Sequence, residues 1–292
     1  MSLARPLAAA LCLGALSTLF AGAAQAAPDA CPDDADIVRA LYPGVQAPDA
    51  RGRVHVPGTD AVILVANVAA GDPFGLTCKA WPANPDLLLV AVPLMRDQSE
   101  AEAADGHEGD LDVLVLERAT LKPLRQRRLK GLMMDDAVAL TSLTFDTARY
   151  DLMPDRRAFG IRISRAAGSR VSLYGESSLR LFVMGERELE MVLDGMVVSG
   201  TRGDWDTRCA GDVEERKVTV GLGSGSSQGY RDLSLTEARE RRLFETQGDD
   251  CGERTVGKDK IRHTLRFEGK GYVIPEALRS MDRAFVEGSG QP

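Results

Sequence analysis

From Phe159 onwards apolar residues recur at every second position. Phe159, Ile161 and Ile163 alternate with Gly160, Arg162 and Ser164, and Leu189, Met191 and Leu193 with Glu188, Glu190 and Val192. Val218, Val220 and Leu222 alternate with Lys217, Thr219 and Gly221, and Ile261, His263, Leu265 and Phe267 with Arg262, Thr264 and Arg266. Successive side chains of a strand point to opposite faces, so each run predicts a strand with one buried face, and the Gly, Asp and Pro between runs predict turns. Antiparallel pairing follows, because parallel strands need long crossovers. Glu268-Gly269-Lys270-Gly271, between Phe267 and Tyr272, predicts a hairpin turn in which glycine takes positive φ. One segment carries two patterns: Ser234-Leu235-Thr236-Glu237 matches a capping box ahead of good helix formers from Ala238 to Thr246, while Leu233 and Leu235 alternate. Strand is preferred there.

The N-terminal third reads differently. Asp33 or Asp34 can cap a short helix with Ile37, Val38, Leu41 and Tyr42 on roughly one side, ended by Pro43-Gly44. Gln46 to Gly58 reads as loop, and Ala61 to Ala70 and Leu87 to Met95 as short buried strands. Residues 97–109 hold five acidic residues and no Lys or Arg, as a solvated loop or linker would. The predicted fold class is mainly β, an antiparallel sandwich or open barrel with a short N-terminal helix. The predicted organisation is a signal peptide over 1–26, a helix-plus-strands unit over 27–96, an acidic linker or loop over 97–109 and a main antiparallel β domain over 110–292. No fixed-period repeat supports a propeller or solenoid.

The first residues bear on location. Arg5 precedes an apolar stretch from Leu7 to Ala24, and Ala24-Gln25-Ala26 supplies a signal-peptidase site, so cleavage before Ala27 and a periplasmic or secreted destination are expected. The stretch is too short and too interrupted by Gly14, Ser17, Thr18 and Gly22 for a membrane anchor, and Leu11 before Cys12 does not suit lipidation. Cleavage removes Cys12 and leaves Cys31, Cys78, Cys209 and Cys251, an even set in an oxidising compartment. Local pairing is expected, Cys31 with Cys78 and Cys209 with Cys251, because each pair brackets one unit. A net charge of −7 disfavours nucleic acid and anionic lipid as partners.

Candidate chemistry is sparse. Gly225-Ser226-Ser227-Gln228-Gly229 matches G-x-S-x-G with Ser227 at its centre, and Asp249, Asp250 or Asp259 followed by His263 completes a Ser, Asp, His order. That motif needs a strand-to-helix turn on a parallel sheet, and alternating strands surround this one, so a hairpin loop is expected. His263, on the apolar side of its strand, is expected to be a hydrogen-bonded core histidine. Asp204, Asp206 and Asp212 could gather calcium ligands, but Arg208 and Cys209 stand where such a loop needs a ligand and a glycine, so a disulfide-tied turn is expected. Asp105, His107, Glu108, Asp110 and Asp112 form a second acidic cluster, without the spacing of a calcium loop and with only a faint likeness to FG-GAP and VCBS propeller repeats. His55, His107 and His263 are too scattered for zinc. Lys122, Arg125, Arg127, Arg128 and Lys130 are expected to divide between two strand faces and to pair with the acidic linker. No glycine-rich phosphate loop is present and no cofactor is expected.

Leu193-Asp194-Gly195-Met196-Val197-Val198-Ser199, then Trp205-Asp206-Thr207-Arg208-Cys209-Ala210-Gly211-Asp212-Val213-Glu214-Glu215-Arg216, then Tyr272-Val273-Ile274-Pro275-Glu276-Ala277-Leu278, occur in that order. Over roughly 110–278 the chain resembles a group of exported proteobacterial proteins to which no activity is assigned. The resemblance implies export and shared architecture, and transfers no catalytic residue. The leading expectation is a non-enzymatic envelope protein with a binding or structural role and an envelope protein or polysaccharide as partner. The alternatives are a serine hydrolase using Ser227 with His263 and Asp250, and a calcium-stabilised binding or adhesion module.

Overall fold

The computed structural model describes residues 31–282 apart from Asn67, Ala69, Ala70, Asp135 and Asp249. The expected signal peptide and its cleavage site before Ala27 lie outside the described residues, and no helix among those described is long and apolar enough to cross a membrane.

Helix α1 (Asp34–Leu41) begins where Asp33 accepts a hydrogen bond from the Ala35 amide at 2.9 Å, and it buries Ile37 and Val38. It packs on a six-stranded antiparallel sheet of β1 (Arg53–His55), β2 (Ala61–Leu64), β3 (Thr77–Ala80), β4 (Leu87–Arg96), β5 (Gly109–Glu117) and β6 (Pro123–Leu129), in the order β1-β2-β4-β5-β6 with β3 also on β4. Strand β4 buries Leu88 to Met95 without alternation because both its faces are covered. One face meets α1 through Val90, Val92 and Leu94; the other turns Leu89 and Ala91 to a core shared with the second sheet.

The second sheet is an up-and-down meander of β7 (Val138–Met153), β8 (Arg156–Ala167), β9 (Ser172–Met184), β10 (Leu189–Trp205), β11 (Gly211–Ser227), β12 (Tyr230–Gln247) and β13 (Asp250–Leu265), each paired antiparallel with the next. Phe145, Phe159, Ile161 and Phe182 of this sheet pack against Trp81, Val113 and Val115 of the first, giving the expected sandwich. A second core holds Tyr150 and Leu152 of β7 together with Leu233 and Leu235 of β12, so the sheet curls, and the hairpin β14 (Phe267–Glu268)/β15 (Gly271–Tyr272) with the 3-10 turn η1 (Glu276–Leu278) packs into it. β12 is strand throughout, in keeping with the preference for strand over helix: it pairs on both edges. Cys31 is bonded to Cys78 and Cys209 to Cys251, the expected pairing.

Two expectations need correction. The acidic stretch 97–109 is not a linker between domains but a hairpin connection carrying the short helix α2 (Glu100–Ala103), since β4 and β5 on either side of it pair from Leu87–Glu117 to Met95–Gly109. β5 and β6 therefore belong to the N-terminal sheet, and the change of sheet falls after Leu129. Likewise Leu189, Met191 and Leu193 do not share one face. β10 changes register between Met191 and Leu193, so Leu189 and Met191 pack in the first core and Leu193 in the second.

Candidate functional site

The G-x-S-x-G segment ends β11 in a two-residue turn. Ser227 pairs with Tyr230, and Gln228 and Gly229 both take positive φ, 50° and 85°, as a type I′ hairpin requires. Ser227 donates a hydrogen bond to Asp232 at 2.7 Å. The Asp232 carboxylate also lies where a side chain on Gly225 would be, 2.6 Å from an ideal Cβ, which is why glycine stands there. His263 pairs in register with Leu235, about 17 Å along β12 from Tyr230, and its Nε2 lies 2.9 Å from a Glu237 carboxylate oxygen. Serine and histidine thus have separate acidic partners and do not meet. Asp250 is exposed opposite Gln247, Asp259 is exposed opposite Arg239, and Asp249 lies outside the described residues.

The acidic candidates serve the fold. Asp206 accepts from the amides of Arg208 and Cys209, both at 2.8 Å, and closes the β10–β11 turn, while Asp212 pairs with Arg241 and stands opposite Asp204. Asp112 accepts two hydrogen bonds from Arg128, each 2.7 Å, and one from the Tyr42 hydroxyl, whose burial beside that carboxylate raises its pKa. Glu108 pairs with Arg96, Asp110 caps Gly131, and His107 packs on Phe74. The basic stretch divides between faces as expected, but its partners are not the acidic connection: Arg125 and Arg127 reach the β9–β10 turn through the Gly185 carbonyl and Glu188, and Arg128 takes Asp112. Among the described residues no group of three or more His, Cys, Asp or Glu is placed to hold a metal ion.

Sequence reading missed two buried ionic clusters. Arg180, fully buried, donates to Asp194 and, through both terminal nitrogens, to Asp282, which also accepts from Ser178 and Ser280. Burial pushes the Asp282 carboxyl up, but the Arg180 charge and these hydrogen bonds overcome it and hold the pKa at about 2. Beside it, Glu176 accepts from the Met281 amide, and its pKa is raised by burial. These contacts, with the backbone bridge of Met196 to Arg279, clasp the C-terminal segment to the sheet. In the second cluster the fully buried Glu237 takes Arg216 at 2.9 Å, Arg239 at 2.6 Å and His263. Burial raises its pKa, yet the hydrogen bonds from Arg239 and His263 and the neighbouring guanidinium charges leave it below its ordinary value.

On the opposite side of the same strands lies the largest concavity of the described residues, a trough of about 1210 Å³ running from β8 to β13. Register sets its floor. Ser164, Ser177, Ser199, Lys217, Ala238 and Lys260 are directly opposed from strand to strand and point one way. A parallel row on that side carries Gly175, Thr201, Glu215, Glu240 and Lys258. The small side chains keep the floor low. Both acids are taken, Glu215 by Arg242 and Glu240 by Lys258 at 3.3 Å and Thr255 at 3.2 Å. Lys217 and Lys260 line the trough and form no ion pair among the described residues. The signal in the sequence was the polar half of the alternation: Lys217 and Lys260 are the polar positions between the apolar ones, easily read as ordinary solvated face.

Fold and site define a two-sheet antiparallel β protein with a hydroxyl-floored, cationic trough across its larger sheet. Compared with family models, curated proteins and solved structures, the chain matches none.

Proposed function

We propose that this is an exported envelope protein that binds a ligand along the trough of its large sheet without transforming it. The observation that carries this reading is the trough itself, about 1210 Å³, with serine and threonine hydroxyls and lysines as its polar lining and both of its carboxylates engaged in ion pairs. Hydroxyls without an adjacent base are weak nucleophiles but good hydrogen-bond donors and acceptors, which suits recognition. The two disulfides and the leader-like residues 1–26 support an oxidising destination outside the cytoplasm. The resemblance to exported proteobacterial proteins points the same way.

The test is co-sedimentation of the purified protein with washed cell-envelope fragments of its host. Ser199→Trp, which places a bulky ring on the exposed floor, is expected to abolish association while leaving the circular-dichroism spectrum and melting temperature unchanged. Ser227→Ala is expected to leave it intact. Undiminished association of a folded Ser199→Trp protein rejects the trough as the site, and labelling of Ser227 by a fluorophosphonate would replace the reading with a hydrolase.

A further inference from the structure

We infer that the trough's occupant is an acidic polysaccharide strand, its carboxylates held by Lys217 and Lys260 and its hydroxyls by the serine row; this rests on the binding function proposed above. Charge is the first argument. In a chain of net charge −7, Glu215 and Glu240 are neutralised by Arg242 and Lys258, so the uncompensated charge inside the trough is the pair of lysines. An anion fits, and a cation does not. Asp259, between Lys258 and Lys260 in sequence, stands opposite Arg239 on the other side of the sheet and adds its field to that guanidinium rather than to the trough.

Spacing is the second. Lys217 and Lys260 flank Ala238 on adjacent strands, which puts their backbones about 10 Å apart, and the row from Ser164 to Lys260 covers six strands, about 24 Å. That is room for an oligomer with separated charges, not for one small ion. Four of the five remaining positions across the floor, Ser164, Ser177, Ser199 and Thr201, offer hydroxyls that both donate and accept, as sugar hydroxyls require, and Ala238 leaves the space between the lysines clear.

Chemistry of the lining is the third. It contains no aromatic residue, so it has no platform for stacking the bases of a single-stranded nucleic acid. Its uncompensated cations are lysines, hydrated point charges on flexible stems, rather than the planar guanidinium forks that grip phosphate bidentately. Such a site binds a hydrated polymer of carboxylates and hydroxyls with modest, salt-sensitive affinity.

Oligogalacturonate of six to eight sugars, titrated by calorimetry into the full-length mature protein, tests this beside maltohexaose as the neutral analogue. The expected results are binding of the oligogalacturonate and not of maltohexaose, at least a tenfold weakening in Lys217→Gln/Lys260→Gln, and a comparable weakening on raising salt from 50 to 500 mM. Both lysines are exposed, so the variant should fold, and an unchanged melting temperature checks it. Absence of oligogalacturonate binding, or equal binding by the double variant, overturns the inference. If maltohexaose binds instead and Ser199→Trp abolishes it, the acidic ligand is wrong and the trough reading stands; if Ser199→Trp also leaves envelope association untouched, the trough reading falls with it.

Discussion

Along one face of β12 the residues run Leu233, Leu235, Glu237, Arg239. The first three are fully buried and the fourth is half-buried. The leucines share their core with Val218, Leu265 and the aromatic group of Tyr230, Phe267 and Tyr272, in which the first two rings stack with centroids 3.9 Å apart. Two residues further on, the same face is held by Arg216, Arg239 and His263 around one carboxylate. Beyond that, the outer ends of β10–β13 have only exposed pairs such as Arg254–Glu245, the edge contact of Trp205 with Phe244, and the Cys209–Cys251 bridge. One period-two pattern is therefore stabilised by three different means. Apolar burial and fully satisfied buried charge make the inner end rigid, whereas exposed ion pairs contribute little, about 0–1 kcal/mol each, and leave the outer end dependent on its covalent tie.

The sharpest break in that contrast is Arg180→Met. It leaves Asp282, 1% exposed, without its counter-ion, and urea unfolding should show a loss of about 3–5 kcal/mol, with the C-terminal segment released. A loss under about 1 kcal/mol would mean that the inner clasp is no stronger than the outer pairs. Next in size, replacing Cys209 and Cys251 by serine should lower the protection of amides around Gln247–Glu253 by about 2–4 kcal/mol in hydrogen exchange while leaving Leu233 and Leu235 protected. Equal losses at both ends would show that the sheet opens as one unit and remove the distinction.

Acid titration sharpens the comparison. Asp282 has a depressed pKa, about 2, so its contribution is fully present above the ordinary carboxylate range and is lost as pH falls from about 4 through 2. The expected loss is about 2 kcal/mol across that window. Asp282→Asn should be less stable at neutral pH and should show a shallower acid limb; an unchanged limb would move the effect to other carboxylates. The smallest change is expected from Arg242→Gln at the outer end, where the pairs with Glu215 and Glu253 lie in solvent: under about 1 kcal/mol by urea unfolding, and less at high salt. A larger value would place the outer charges in a cooperative network.

The candidate site divides between what was legible and what was not. His263 was readable as hydrogen-bonded because a polar ring on an apolar face needs a partner, but the partner, Glu237, looked like an N3 residue of a helix cap. Ser227 was readable as a turn residue from the density of glycine around it, yet its tie to Asp232 depends on how the β11–β12 hairpin closes. Arg180, Asp194 and Asp282 gave no signal. They are separated by as many as 102 positions, and nothing local distinguishes a charge that will be buried from one that will be solvated.

What the sequence determined by itself is whatever depends on neighbours a few residues apart: the cap at Asp33, the period-two strands of the second sheet, the hairpin at Gly269, and a local cysteine pairing that needs only short loops to close. What the tertiary structure decided is whatever depends on a partner far along the chain. Pairing of β4 with β5 across the acidic connection turned an apparent linker into a hairpin and moved two strands into the first sheet. Register across six strands then lined up Ser164, Ser177, Ser199, Lys217 and Lys260 into one row. Alternation fixes which face of its own strand a residue takes, but only the hydrogen-bonded register between strands fixes which residues of different strands stand side by side, and the trough exists through that register.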